Sequence, residues 1–225
     1  MFTGGCDREA VAVVCAADDL PGGEILDLMS RLVDQSVVLA EEAAAGYTRY
    51  RMLTDVRQFG LERADGDGEL DDLQARHAIW FAALASRFDD EACGPDQPDW
   101  LRRLRLEHAN LRAAIAFIAG ATEGVSAGLV MARELDLFWS ASGLLDEARH
   151  WLETGLASGV GTPKERAIAM AVAARFAVLQ NDRLRAGELV DEGERRGKAG
   201  RRRPCARLQL PVPDRRVGHA TPTGG

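Results

Sequence analysis

The stretch Trp100–Ala119, WLRRLRLEHANLRAAIAFIA, constrains this chain more than any other. Trp100, Leu104, His108, Leu111, Ile115 and Ile118 recur at steps of four and three, the period of a helix that buries one stripe. Arg102, Arg103, Arg105 and Arg112 fall mostly off that stripe. A long helix at the middle of the chain needs apolar partners on both sides in sequence, and both flanks supply them. Before it lies a small α/β pattern, and after it come helices in pairs.

In chain order, residues 7–19 read as a short helix with acidic caps, broken by Pro21-Gly22-Gly23. Glu24–Gln35 reads as a second helix, with Ile25, Met29, Leu32 and Val33 on one face. Ser36–Ala40 and Thr48–Leu53 read as two strands of a hairpin around a turn holding Gly46. Thr54 is placed to cap a third helix, Asp55–Ala64. Helix, helix, hairpin, helix is the order of a winged-helix module without its first helix. A long amphipathic helix follows, through Leu70, Leu73, His77, Trp80, Phe81, Leu84 and Phe88. Cys93–Pro98 separates it from the central helix, and Gly120–Gly124 ends that one.

The rest of the patterned sequence repeats itself. One helix runs from Val125 to Gly143 and a second over Leu144–Ser158; Lys164–Gln180 and Arg183–Arg196 form another pair. Gly143–Ala148 aligns on Asn181–Ala186, and Trp151-Leu152-Glu153 on Leu189-Val190-Asp191, an offset of 38 residues. Helix pairs at this period predict a tetratricopeptide-like solenoid, with an ordinary helical bundle as the alternative. The fold class is therefore mainly α: a truncated winged helix with a small β-hairpin, then tetratricopeptide-like helical hairpins. The expected division is 1–64 for the partial winged helix, 65–120 for a helical connector, 121–196 for the helix pairs and 197–225 for a tail.

Charge separates the tail from the rest. Residues 1–196 carry 21 Lys+Arg against 34 Asp+Glu, whereas residues 197–225 carry 7 against 1 and four of the eight prolines. The apolar period stops at Gly197, so the tail reads as disordered or as an out-of-frame terminus. No apolar run approaches the roughly 20 residues of a membrane span, and the N-terminus lacks the pattern of a signal peptide, so the expected compartment is the cytoplasm. Cys6, Cys15, Cys93 and Cys205 form no CxxC pair and have no histidine at zinc-ligand spacing, which predicts incidental thiols and no metal.

The segments LMSRLVDQSVV, YRMLTDVRQFG, RHAIWFAALA, WLRRLRLEHANLRAAIAF and FWSASGLLDEARHWLETGLA, in this order, resemble the middle of LuxR-type and related actinobacterial transcriptional regulators built on signal-transduction ATPases. The resemblance covers about residues 1–196. In that family a nucleotide-binding NB-ARC domain precedes a winged helix and tetratricopeptide-like repeats, and a DNA-binding or cyclase domain sits at one end. The resemblance implies an internal fragment without the ATPase and without the C-terminal DNA-binding domain. It also implies a sensor and scaffold whose partners are the ATPase and effector domains of the intact regulator, or a protein or peptide inducer. Two departures bear on nucleotide. The only Gly-Lys, Gly197-Lys198, is followed by Ala199 and has Glu192 where a P-loop begins with glycine. Leu53 stands where related ATPases place a phosphate-sensing histidine, so no cofactor is expected.

Function by direct chemistry finds little support in the residues. A DNA-reading helix would be Glu24–Gln35, yet it carries Glu24, Asp27 and Asp34 against Arg31, and residues 1–62 hold 5 basic and 11 acidic side chains. Direct DNA binding by the folded part is therefore not expected. Arg201–Arg203 and Arg215-Arg216 are the phosphate-binding candidates of the tail. Glu107-His108-Ala109-Asn110 invites a catalytic reading, but no nucleophile or second base can be placed beside His108, and His77 and His150 have no companions either. The expectation is no enzyme activity. Trp139 and Trp151 are the candidate interaction surface, lining a groove between helix pairs, with core packing as the simpler alternative. A stand-alone helical-repeat adaptor for a protein partner is the second functional reading.

Overall fold

The computed structural model describes residues 1–17, 20–43, 47–121 and 125–196. The tail expected at 197–225, Cys205 and the turn glycine Gly46 lie outside the described residues. Ten helices and one hairpin are seen among those described: α1 (Arg8–Val14), α2 (Gly22–Asp34), β1 (Val38–Ala43), β2 (Tyr47–Met52), α3 (Thr54–Gly66), α4 (Leu70–Glu91), α5 (Gln97–Gly120), α6 (Val125–Glu134), α7 (Asp136–Ser142), α8 (Leu145–Ala157), α9 (Pro163–Leu179) and α10 (Arg183–Arg196). None is long and apolar enough to cross a membrane.

Local chemistry accounts for most boundaries. Asp7 caps α1, its Oδ1 accepting from the Ala10 amide at 2.7 Å. The helix ends at Val14, well short of the run predicted to residue 19, because Ala17 and Leu20 exchange backbone bonds and reverse the chain. Leu53, not Thr54, is the N-cap of α3, and it offers no side-chain bond; Thr54 is already helical. Helix α9 starts on a full capping box: the Thr162 side chain accepts from the Glu165 amide and the Glu165 carboxylate accepts from the Thr162 amide, with Pro163 in the first turn. The two strands pair antiparallel, Val38 opposite Met52 and Ala40 opposite Tyr50. Cys6 exchanges both backbone bonds with Tyr50, at 2.9 and 2.8 Å, so the N-terminal segment lies along β2.

Two apolar clusters result. The larger joins α4 and α5 to everything after them: Phe81, Leu104, Leu111, Ile115, Leu129, Phe138, Leu152 and Phe176 belong to one core. The expected boundary at 120 thus does not divide the interior. The smaller gathers Cys6, Ala10, Val11, Ile25, Met29 and Val38, with Phe2 and Trp80 packing against both clusters. Helix α3 buries no side chain, and its Phe59 is largely exposed.

The 38-residue offset is visible in backbone geometry. Gly143 and Asn181 both adopt left-handed conformations, with φ of 70° and 62°. Around them the bonds repeat: Leu144 N to Trp139 O at 3.0 Å matches Asp182 N to Ala177 O at 2.8 Å. Phe138 and Phe176, 38 apart, are both fully buried, as are Leu135 and Ala173. One difference separates the copies. The helix predicted as continuous from Val125 to Gly143 is interrupted at Leu135 into α6 and α7, whereas α9 runs through.

Candidate functional site

The central helix buries more than its predicted stripe. Trp100, Leu104, Leu111 and Ile115 are buried as expected, but so are Glu107 and Asn110, at 2% and 0% exposure. These two polar residues stand three positions apart on one face of α5, while His108 points elsewhere. A buried carboxylate needs a paired charge and several donors. Arg49 of β2 provides the charge: Nη1 donates to Glu107 Oε1 at 2.5 Å. Its Nη2 donates to the carbonyls of Gly4, Gly5 and Leu106 at 2.9–3.0 Å. Asn110 Nδ2 donates to Glu107 Oε2 at 2.7 Å and to Gly5 O at 2.8 Å, and its Oδ1 accepts from the Thr3 amide at 2.9 Å. One network therefore ties three distant stretches together: residues 3–5, β2 and α5.

Gly5 is the residue that lets the network close. Its φ is +81°, and a Cβ there would lie 2.7 Å from both the Arg51 Cγ and the Tyr50 carbonyl oxygen. His77 of α4 packs beside the network, stacked near Phe2 and Phe81 at centroid distances of 5.3 and 4.6 Å. Among the described residues its Nε2 has no hydrogen-bond partner, and burial pushes its pKa down to about 4, so it sits as a neutral ring.

Sequence reasoning missed Arg49 and Gly5. The Gly4-Gly5 pair was the signal for a close backbone approach. The structure turns Glu107 and Asn110, which flank His108 in sequence, away from it and toward the hairpin and the N-terminal segment. His108 instead faces α8: Nε2 lies 3.0 Å from Glu147 Oε2, and Arg112 Nε lies 3.1 Å from Glu147 Oε1. Its ring leans on Phe138 and Trp139.

The two tryptophans separate. Trp139 is fully buried, and its Nε1 donates to the Ala132 carbonyl at 3.0 Å, so it is a core residue and lines no surface groove. Trp151 is half-buried and borders a crevice of about 90 Å³ with Ile115, Leu129 and Gly155. Among the described residues, no group of three or more His, Cys, Asp and Glu is placed to hold a metal ion. Cys6 and Cys15 are free thiols, and burial pushes the Cys6 thiol up to about 12. Leu53 is exposed on the surface at the start of α3.

A larger hollow lies beside the hairpin. It has a volume of about 390 Å³ and opens between the N-terminal segment, α2, the hairpin and α3. Its wall is mostly apolar, with Ile25, Met29, Leu32, Val38 and Leu61 among its lining residues.

The chain is 35% identical over 153 residues to a protein of Mycobacterium tuberculosis named "Putative HTH-type transcriptional regulator", and equally to one of that name in Mycobacterium bovis. The match takes in 68% of this chain and 17% of each relative, so the chain corresponds to about a sixth of their length. A second Mycobacterium tuberculosis protein, named only as uncharacterized, is 37% identical over 78 residues, 34% of this chain and 20% of its own length. No family model and no solved structure matches the chain.

Proposed function

We propose that this chain is a non-catalytic coupling segment of a transcriptional regulator, relaying inducer or nucleotide state between domains. In this reading residues 1–64 are a partial winged helix and α6–α10 are tetratricopeptide-like pairs that serve as the sensor. The regulators to which two thirds of the chain is similar support the class of function. The observation that carries the coupling role is the Arg49–Glu107–Asn110 network. A buried ion pair between two modules is an element with two discrete arrangements: closed and satisfied, or open and solvated. A ligand that favoured either arrangement of the helices would move the hairpin with it, which is differential binding and not chemistry.

The test is a segment exchange. The matching stretch of the Mycobacterium tuberculosis regulator is replaced by this chain's residues, and a reporter for its target is followed. The expected outcome is retained regulation, and loss of the response with Arg49→Met at unchanged protein level. Regulation that ignores the segment altogether, or ATP turnover by the purified chain, would sink the proposal. The adaptor reading is favoured by apolar side chains left on the surface of the last helix pair, where Leu184, Val178 and Leu179 are 86%, 61% and 55% exposed. It predicts a stable complex of this chain alone with a protein partner.

A further inference from the structure

The hollow beside the hairpin is unusual for its charge as much as its size. Its volume of about 390 Å³ lies within the range of small-molecule sites. Residues 1–62 hold 11 acidic side chains and only 5 basic ones. Yet among the described residues no carboxylate lines the hollow, and two of those five bases, Arg51 and Arg57, do. Arg51 shares its charge with Glu41 at 3.5 Å in an exposed pair, and Arg57 makes no ion pair among the described residues. The same hollow has an apolar floor, built by Ile25, Met29 and Val38 of the smaller core. The Cys6 thiol in that wall stays protonated because burial pushes its pKa to about 12, so it adds apolar surface and no negative charge.

We propose that this hollow binds an anionic amphiphile of the alkyl-carboxylate class. The tail lies along Ile25, Met29 and Val38, and the carboxylate rests on Arg57 with Arg51 beside it. The pattern of the wall favours this class. An apolar floor alone would take any hydrocarbon, whereas a guanidinium at its edge rewards an acceptor of negative charge and penalises a cation. This inference goes beyond the coupling role and does not depend on it.

Binding of dodecanoate, dodecanol and dodecyltrimethylammonium to the full chain, each below its micelle concentration, tests the idea by calorimetry. Dodecanoate is expected to bind saturably at one site, roughly tenfold or more tighter than the alcohol, with the ammonium weakest. Arg57→Gln should remove the preference for carboxylate while leaving the alcohol's affinity unchanged. Leu28→Trp, at a rim position that is 40% exposed and so compatible with folding, should weaken both by narrowing the entrance. Circular dichroism and melting of each variant separate ligand loss from unfolding. Equal affinity for all three headgroups overturns the proposal, as does non-saturable uptake. So does saturable binding of an acidic amphipathic peptide when dodecanoate fails, since that outcome makes the hollow a docking groove for a helix.

Discussion

The first 66 residues and the helices that follow are held together by different forces. Between α4 and α10 the interior is apolar and wide, with Phe81, Phe88, Phe138, Trp139 and Phe176 all fully buried. The N-terminal module has only a thin apolar cluster, a helix that buries nothing and a hollow under its hairpin. Beside the packing of Phe2 and Trp80 and the pairing of Arg103 with Asp7, what fixes it to the rest is a directed polar network around Arg49. Packing by volume degrades gradually when one side chain shrinks. A network of few, strong and mutually dependent bonds fails as a unit.

Breaking the network should give the largest and most local effect. Arg49→Met leaves the Glu107 carboxylate buried without its charge partner and strips donors from three carbonyls. A loss of about 3–5 kcal/mol is expected. Hydrogen exchange should report it as lost protection in residues 1–66 while α8 and α9 stay protected. Adding Glu107→Leu should restore much of the loss; if it does not, the carbonyl bonds and not the ion pair hold the module. Phe138→Ala, on the other side of the comparison, is expected to cost about 3–5 kcal/mol through a core cavity. Its effect should appear as a lower melting temperature of the whole helical array, with no selective loss at the N-terminus.

Acid should attack the junction of the two regions. His77 has a pKa near 4 in the folded chain against an ordinary value of 6.5, so the unfolded chain binds the proton first. Its contribution is unchanged above pH 6.5, and stability drains as pH falls from there toward 4, by up to about 3 kcal/mol. Denaturant melts across that window should show the wild type losing stability with falling pH while His77→Phe lacks this loss; an equal decline in both would show that His77 is not responsible. The smallest expected effects compare the two repeats. At Gly155 a new Cβ would sit 3.0 Å from Leu129 Cδ1 and 3.2 Å from its Cβ, whereas at Gly193, 38 residues later, the nearest atom is Met170 Cβ at 3.7 Å. Gly155→Ala is expected to destabilise by about 1–3 kcal/mol, and Gly193→Ala to be neutral or to gain up to about 1 kcal/mol of helix propensity, both read from chemical denaturation.

What was legible in the sequence follows from how far apart the causes lie. The stripe of α5, the hairpin and the α8–α10 correspondence rest on local periods, and Gly143 over Asn181 marks the same left-handed turn in both copies. The break at Leu135 was not legible, since no glycine or proline marks it. Nor was the network: Glu107 and Asn110 look like ordinary surface polar residues on a helix, and their partners stand 58 and 105 positions away. Trp139 and Trp151 could not be told apart by pattern, because both fall on inward faces and only the tertiary packing around α7 and α8 decides which one reaches the surface.

The spacing of that network also sets an order of events during synthesis. Arg49 emerges from the ribosome 58 residues before the carboxylate that pairs with it. At translation rates of about 5–20 residues per second, the hairpin waits roughly 3–12 s with an unmatched guanidinium. Over that interval the nascent module has its apolar hollow but not the helix that anchors it, so its exposure to chaperones and proteases is decided before α5 is made.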